Sequence, residues 1–206
     1  GMDAVFVLLG IFSNNAVIPI GSETPLTEYL DSGGNLYMEG SDMWYYDPQF
    51  QGAYDFGPLF GINAVADGSA DLSQVNGYDF LEGMSWNYSG ENNWIDQLSP
   101  AGNAVTIFRN DQVGYDCGIA NDAGNYRTVG TSFEITGLGG TNNLEDALLG
   151  IVDFFGIGTP PGIVSGNVTL DGGSGDVTDV LVTVGNRTDN PNANGDYSIE
   201  IQGGVY

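Results

Sequence analysis

The residues best suited to chemistry are acidic and aromatic side chains that follow a short apolar run at 36–38. The segment 39–47 (E-G-S-D-M-W-Y-Y-D) places carboxylates beside aromatic rings, at the end of a predicted strand where α/β proteins bind ligands. Paired carboxylates can hydrolyse a glycosidic bond, and aromatic rings could form a platform for a sugar. Packing of the rings onto the sheet edge is the alternative. The candidate ligand site comprises Glu39, Asp42, Trp44, Tyr45, Tyr46 and Asp47.

Two polar turns near the end of the sequence are candidates for calcium binding. The spacing N-x-N-x-N-G at 190–195 resembles the first half of an EF-hand loop, but Ile201 stands where the bidentate glutamate should be. A glycine-rich loop at 171–179 offers three further carboxylates. Ordinary hairpin and solvated turns are the alternative, so the cofactor prediction is either none or calcium. The candidate ligands are Asp171, Asp176, Asp179, Asn190, Asn192 and Asn194.

The composition excludes several classes of function. The 206 residues include 27 acidic residues, three arginines, no lysine and no histidine, for a net charge of -24. Such a chain lacks the cations that neutralise a nucleic-acid backbone or an anionic membrane. Without histidine it has no Ser-His or Cys-His catalysis. The single Cys117 cannot form an internal disulfide, and no apolar run is long enough to span a membrane.

The elements that must position these residues begin with an apolar run at 3–10. A helix is predicted at 25–31, closed by Gly33-Gly34, and a second buried strand at 35–39. Together they predict a β-α-β unit of a parallel sheet. Short strands with polar turns follow between 78 and 138, and the apolar stripe at 142–155 predicts a closing helix.

A second module is predicted after the linker at 158–162, G-T-P-P-G. From 163 to 206 the apolar residues alternate with polar ones, which is typical of short antiparallel strands. The predicted fold class is therefore α/β in the domain at 1–157, with a partial parallel sheet and a β-rich extension. A small, incomplete antiparallel β-sandwich is predicted at 163–206.

Two family resemblances bear on these domains. The segments 26–40, 89–96 and 154–156 resemble class I glutamine amidotransferase-like domains, particularly non-catalytic forms in large secreted bacterial proteins. This resemblance implies a flavodoxin-like sheet. It argues against amidotransferase activity, because the turn at 39–42 lacks the nucleophilic cysteine and the chain lacks the histidine. The segments 164–168, 180–184 and 194–199 resemble carboxypeptidase regulatory-like modules, which are transthyretin-like sandwiches. Measured against these families, both domains are expected to be truncated.

The predicted function is a non-enzymatic extracellular or cell-surface module of a larger secreted protein, which spaces, adheres or binds a ligand. One alternative is an accessory region of a secreted hydrolase or peptidase whose catalytic residues lie elsewhere. The other is a glycan-binding or glycoside-active domain that uses the acidic and aromatic residues at 39–46. The expected partners are a glycan or a protein, with self-association through exposed sheet edges. Nucleic-acid binding and membrane insertion are not expected.

Overall fold

The computed structural model describes residues 2–157, 162–172, 174–184 and 187–201. The chain divides into two compact units, Gly1–Ile157 and Gly158–Tyr206, each considered by itself below. Apart from Gly162, the predicted linker at 158–162 lies outside the described residues. None of the helices in the described ranges combines the length and the apolar character needed to cross a membrane.

Residues 2–157 of the first unit form ten strands and three α-helices, with short 3-10 and π-helical turns between them. The strands are β1 (Ala4–Leu8), β2 (Asn35–Glu39), β3 (Ile62–Ser69), β4 (Gln74–Gly77), β5 (Ser85–Tyr88), β6 (Ile95–Pro100), β7 (Val105–Asn110), β8 (Tyr115–Asp122), β9 (Arg127–Thr131) and β10 (Leu138–Gly139). The helices are α1 (Thr24–Asp31), α2 (Gly57–Phe60) and α3 (Leu144–Phe154).

All ten strands belong to one mixed sheet. Its main path runs β1-β2-β9-β8-β7-β4-β5-β10, and β6 joins β8 to β3. The pairs β1–β2 and β2–β9 are parallel, and the remaining pairs are antiparallel. The sequence therefore predicted the coarse class correctly, namely an α/β part with a β-rich extension. The helical content is small, however, and most of the unit is β-structure.

The β1-α1-β2 unit forms where the apolar pattern places it. Leu36, Tyr37 and Met38 of β2 are completely buried, as expected for a strand covered on both faces. After α1 the backbone reverses at Gly33, whose φ of 90° is accessible mainly to glycine. Helix α3 begins two residues later than the predicted start at 142, because Asn143 is its N-cap and forms a capping box with its N3 residue.

Two apolar cores lie in the first unit. One contains a chain of edge-to-face aromatic contacts among Trp86, Phe108 and Phe133, covered in part by Ile151 of α3. The other is centred on Trp44, which packs against Phe60 with ring centroids 5.2 Å apart. This second core supports the loop that follows β2.

The second unit has four described strands, β11 (Gly162–Asn167), β12 (Val182–Val184), β13 (Arg187–Asp189) and β14 (Asp196–Ile201). They form two antiparallel two-stranded sheets, β11–β14 and β12–β13. The antiparallel pairing agrees with the alternation in the sequence. The described strands do not by themselves establish the predicted small sandwich.

Candidate functional site

Three aspartates converge where the loop after β2 meets strands β3 and β6. Asp42 lies in that loop, Asp67 on β3 and Asp96 on β6. One carboxylate oxygen of each lies within 4.8 Å of the oxygens of the other two. We call these three residues the carboxylate cluster. The cluster is the only group of three or more such metal-binding side chains in the described ranges.

The sheet holds Asp67 against Asp96 through an unusually close approach of two strands. The pairing of β3 with β6 shifts register between Ala66 and Ser69, which marks a bulge around Asp67 and Gly68. A Cβ added to Gly68 would lie 1.7 Å from the carbonyl oxygen of Ile95, so no larger residue fits there. The glycine therefore allows the two acidic strand positions to meet.

Backbone contacts fix the position of Asp96. Its Oδ2 accepts hydrogen bonds from the N–H groups of Trp44 (3.1 Å) and Tyr45 (2.8 Å). Its own N–H donates to the carbonyl of Ser41 at 3.2 Å. These bonds tie β6 to the loop that carries Asp42. The second oxygen, Oδ1, is buried without a hydrogen-bond partner, and so is Oδ1 of Asp67.

Asp42 and Asp96 are buried and Asp67 is half-buried, and the negative charges of the cluster repel one another. Asp96 is 0% exposed, and its burial, followed by repulsion from Asp42 and Asp67, raises its pKa to about 9 despite its two backbone hydrogen bonds. Asp42 is 4% exposed, and burial followed by repulsion from Asp47 and Asp67 raises its pKa to about 7. Burial also raises the pKa of Asp67.

No cationic side chain of the described first unit offsets this charge. Arg109 pairs with Asp111 and Asp116, and Arg127 pairs with Asp122. The unit has no lysine and no histidine. The carboxylate cluster therefore lacks the counter-charge that buried carboxylates usually have.

Asp42 and Asp67 open into a cavity of about 270 Å³ whose other walls are mainly aromatic. Trp94 is the most notable wall residue, because it is 45% exposed and has a φ of 53°. A bulky residue rarely adopts that conformation, and such strain is frequent at functional sites. We call this cavity the acidic-aromatic pocket; it is lined by Phe12, Asp42, Tyr46, Gln51, Asp67 and Trp94.

A larger and shallower depression of about 740 Å³ lies elsewhere on the unit and is lined mostly by loops. Its acidic side chains already have partners. Asp55 accepts a hydrogen bond from the Gly57 N–H, and Asp122 pairs with Arg127. It offers no comparable unpaired groups, so the acidic-aromatic pocket is the stronger candidate site.

The structure separates the six residues predicted at 39–47. Asp42 and Tyr46 line the pocket, and Tyr45 supplies a backbone N–H to Asp96. Trp44 is 3% exposed, because its indole N–H donates to the Thr131 carbonyl at 2.9 Å and its ring joins the core.

The other two predicted residues, Glu39 and Asp47, lie outside the pocket lining and are buried. The Glu39 carboxylate accepts hydrogen bonds from the Tyr37 hydroxyl (2.7 Å) and the Ile135 N–H (2.8 Å). The side chain of Asp47 contacts Asn15.

Five residues of the site were not predicted from the sequence, namely Asp67, Asp96, Phe12, Gln51 and Trp94. The two aspartates occur inside strands, in the segments A-V-A-D-G and W-I-D-Q-L. A carboxylate beside apolar residues of a buried strand is unusual, and for Asp96, which is completely buried, this was an available signal. Nothing local indicates that residues 42, 67 and 96 meet.

The calcium ligands predicted in the second unit take part in local turns. Asp176 Oδ1 accepts from the Thr178 N–H and hydroxyl, and the backbone bond lowers its pKa. Asn192 Oδ1 accepts from two backbone N–H groups, one of them that of Asn194, and Asn190 donates to two carbonyls. Asp171 and Asp179 are exposed. Calcium binding at these turns stays a prediction.

No protein-family model and no curated protein matches the sequence. Among solved structures, the chain is similar to the cold-adapted β-galactosidase from Rahnella sp. R3, with 11% identity and a TM-score of 0.51. That similarity covers 97% of this chain and 32% of the β-galactosidase. The β-galactosidase from the haloarchaeon Halorubrum lacusprofundi gives a TM-score of 0.49 at 14% identity, covering 98% and 31% of the two chains. The β-galactosidase from Bacillus circulans sp. alkalophilus gives a TM-score of 0.49 at 11% identity, covering 96% of this chain and 33% of the β-galactosidase. The chain thus spans about a third of each of these proteins.

The similarity to the Rahnella β-galactosidase corrects the family resemblances proposed from the sequence. The fold is a β-rich curled mixed sheet similar to part of a β-galactosidase, and not a glutamine amidotransferase-like, flavodoxin-like domain followed by a transthyretin-like, carboxypeptidase regulatory-like module. Local motifs misled because a β-α-β unit followed by glycine occurs in many sheets, whereas most of this sheet is antiparallel.

The predicted non-enzymatic spacer or adhesion role is wrong as well, because it depended on those families. So is the prediction that the chain is not an enzyme. That prediction used the missing cysteine and histidine, but the fold is similar to part of a β-galactosidase. Glycoside hydrolases generally act through carboxylates.

Proposed function

We propose that this chain is part of a glycan-active protein and that its first unit binds a saccharide in the acidic-aromatic pocket. The observation that carries the proposal is the composition of the pocket wall. Exposed rings of Phe12, Tyr46 and Trp94 surround two carboxylates and one amide. Rings bury the apolar C–H faces of a sugar, and carboxylate and amide groups bond its hydroxyls.

The size of the pocket supports a small saccharide. A volume of about 270 Å³ falls just below the usual range for small-molecule sites, about 300–1,000 Å³. It suits one or two sugar rings that remain partly open to solvent. The cluster oxygens lie closer together than the roughly 5–9.5 Å that separates the carboxyl groups flanking a glycosidic bond. We therefore assign saccharide binding to this pocket.

Fluorescence provides a direct test, because Trp94 is the one exposed tryptophan of the three. Trp44 and Trp86 are buried, so a ligand in the pocket should change mainly the Trp94 emission. Galactose and lactose are the first probes, because the fold neighbour is a β-galactosidase. We expect saturable quenching or a blue shift, confirmed by calorimetry.

A pair of variants makes the test specific. Trp94→Ala should abolish the calorimetric signal, whereas Tyr78→Ala removes an exposed ring outside the pocket and should leave binding intact. The absence of saturable binding across a panel of galactose, glucose and mannose derivatives would refute the proposal. Equal binding by Trp94→Ala and the wild type would place the saccharide elsewhere.

For the second unit we propose the small antiparallel sandwich that the alternation predicts. Ile199 of β14 is buried, which supports a covered inner face. Slow hydrogen exchange on both β11–β14 and β12–β13 in the full chain would agree with it. Rapid exchange throughout one of the two sheets would contradict it.

A further inference from the structure

We propose that Asp42, Asp67 and Asp96 bind one Ca²⁺ ion at the base of the acidic-aromatic pocket. The inference goes beyond saccharide binding and does not depend on it. It assigns the cation to the first unit, away from the turns of the second unit that the sequence singled out.

The negative charge of the cluster favours a cation. Two buried carboxylates, those of Asp42 and Asp96, and the half-buried carboxylate of Asp67 each place an oxygen within 4.8 Å of the other two. Both arginines of the described first unit are paired elsewhere. Buried like charges without a partner are costly, and proteins usually resolve this by protonation or by coordinating a metal. A divalent cation would satisfy all three groups together.

Two carboxylate oxygens of the cluster are buried without a hydrogen-bond partner. Asp96 is 0% exposed, and only its Oδ2 is occupied, by two backbone N–H groups. Its Oδ1 and the buried Oδ1 of Asp67 have no hydrogen-bond partner. Most buried side-chain polar atoms in native proteins are paired, so two unpaired carboxylate oxygens in one cluster indicate a missing ligand. A hydrogen-bond donor or a proton could satisfy these oxygens one at a time, whereas a cation would also offset the negative charge of all three carboxylates.

The chemistry of the donor atoms indicates which cation would bind. The donors are all carboxylate oxygens, which suit hard cations and not the nitrogen and sulfur ligands typical of zinc sites. Ca²⁺ takes six to eight oxygen ligands in a flexible geometry, whereas Mg²⁺ demands a near-ideal octahedron and gives up its water reluctantly. Three carboxylates from a loop and two strands therefore favour Ca²⁺. The open pocket leaves room for water as additional ligands.

The surrounding backbone holds the three carboxylates in position. Asp67 and Asp96 lie on paired strands, and Asp42 lies in a loop that Asp96 itself binds through the Trp44 and Tyr45 amides. Each group therefore has a defined place before an ion arrives. A site built on paired strands pays little ordering cost on binding.

The experiment uses the full chain, stripped of metal, with CaCl₂ alone and no saccharide. We expect the melting temperature to rise by about 5–10 °C at a hundredfold excess over Kd. We expect Tb³⁺ to show luminescence sensitised through Trp94, which Ca²⁺ should quench by competition. A melting temperature that Ca²⁺ leaves unchanged, or that Mg²⁺ raises equally, would overturn the assignment.

Two variants locate the ion. Asp96→Asn keeps an acceptor for the two backbone N–H groups, so it should fold, melt higher than the metal-free wild type and lose the response to Ca²⁺. Asp42→Asn should also lose the response to Ca²⁺, and it keeps the site testable if Asp96→Asn does not fold. Asp176→Asn, in the second unit, is the matched control and should respond normally. The proposed site would be wrong if only Asp176→Asn lost the rise in melting temperature with Ca²⁺, or if both cluster variants kept it.

Discussion

Replacing Asp96 with asparagine is expected to flatten the pH dependence of stability in the metal-free protein. The perturbation is nearly isosteric, and the amide oxygen can still accept from the Trp44 and Tyr45 N–H groups. What it removes is one titrating group. Asp42 and Asp67 face that group from the adjacent loop and strand, and both remain.

The direction follows from linkage. The folded pKa of Asp96 is about 9, well above the roughly 3.9 of an unfolded aspartate, so the folded state holds a proton that the unfolded state has lost. Its contribution to stability is complete below about pH 4 and disappears as the pH rises towards 9. One proton corresponds to about 1.4 kcal/mol per pH unit, so wild type should lose about 4 kcal/mol through this group between pH 5 and 8.

The assay is urea unfolding at pH 5, 6, 7 and 8 after removal of divalent ions. The slope of unfolding free energy against pH should be less steep in Asp96→Asn by about 1.4 kcal/mol per unit. Asp153→Asn, at an exposed position on α3, is the control and should keep the wild-type slope. Equal slopes in wild type and Asp96→Asn would show that Asp96 ionises normally, and the reasoning about its burial would fail.

Three other predictions concern structure and reactivity. Gly68→Ala should lower the free energy of unfolding of the first unit by about 1–3 kcal/mol in urea, because the added Cβ would collide with the Ile95 carbonyl. Gly139→Ala is the control and should leave the free energy of unfolding nearly unchanged, because Gly139 has open space around it. Asn143→Ala should cost about 1 kcal/mol by the same measurement, since it deletes the N-cap of α3. The Cys117 thiol, whose pKa burial raises, should not react with a thiol reagent in the native protein and should react on unfolding; rapid native labelling would contradict its burial.

The elements that the sequence predicted well are those with strong local periodicity. The apolar runs of β1 and β2, and the stripe of α3, appear within a few residues of their predicted bounds. For β3 the sequence predicted only a short helix or strand at 56–65, because Asn63, Asp67 and Gly68 interrupt the apolar residues of the strand. Two of these residues belong to the candidate site, because Asp67 supplies a carboxylate of the cluster and Gly68 lies in the bulge beside it.

The site was only partly predictable for a related reason. Asp42 and Tyr46 share one local segment, so their nearness could be read from the chain. Asp67 and Asp96 join them through strand pairing across 25 to 54 residues, which no local pattern encodes. Trp44 misled because its ring looked like part of an exposed platform, whereas the Thr131 carbonyl accepts its indole N–H inside the core.

The outer strand β1 has consequences for how the protein behaves at different ionic strengths. Among the described residues it pairs only with β2, and it leaves Phe6 and Leu8 exposed. An apolar edge strand favours pairing with another copy, while the net charge of -24 keeps copies apart. Raising salt from 0.01 M to 1 M shortens the Debye length from about 30 Å to about 3 Å. Salt should therefore weaken that repulsion, so that self-association is observed in concentrated salt and not in dilute buffer.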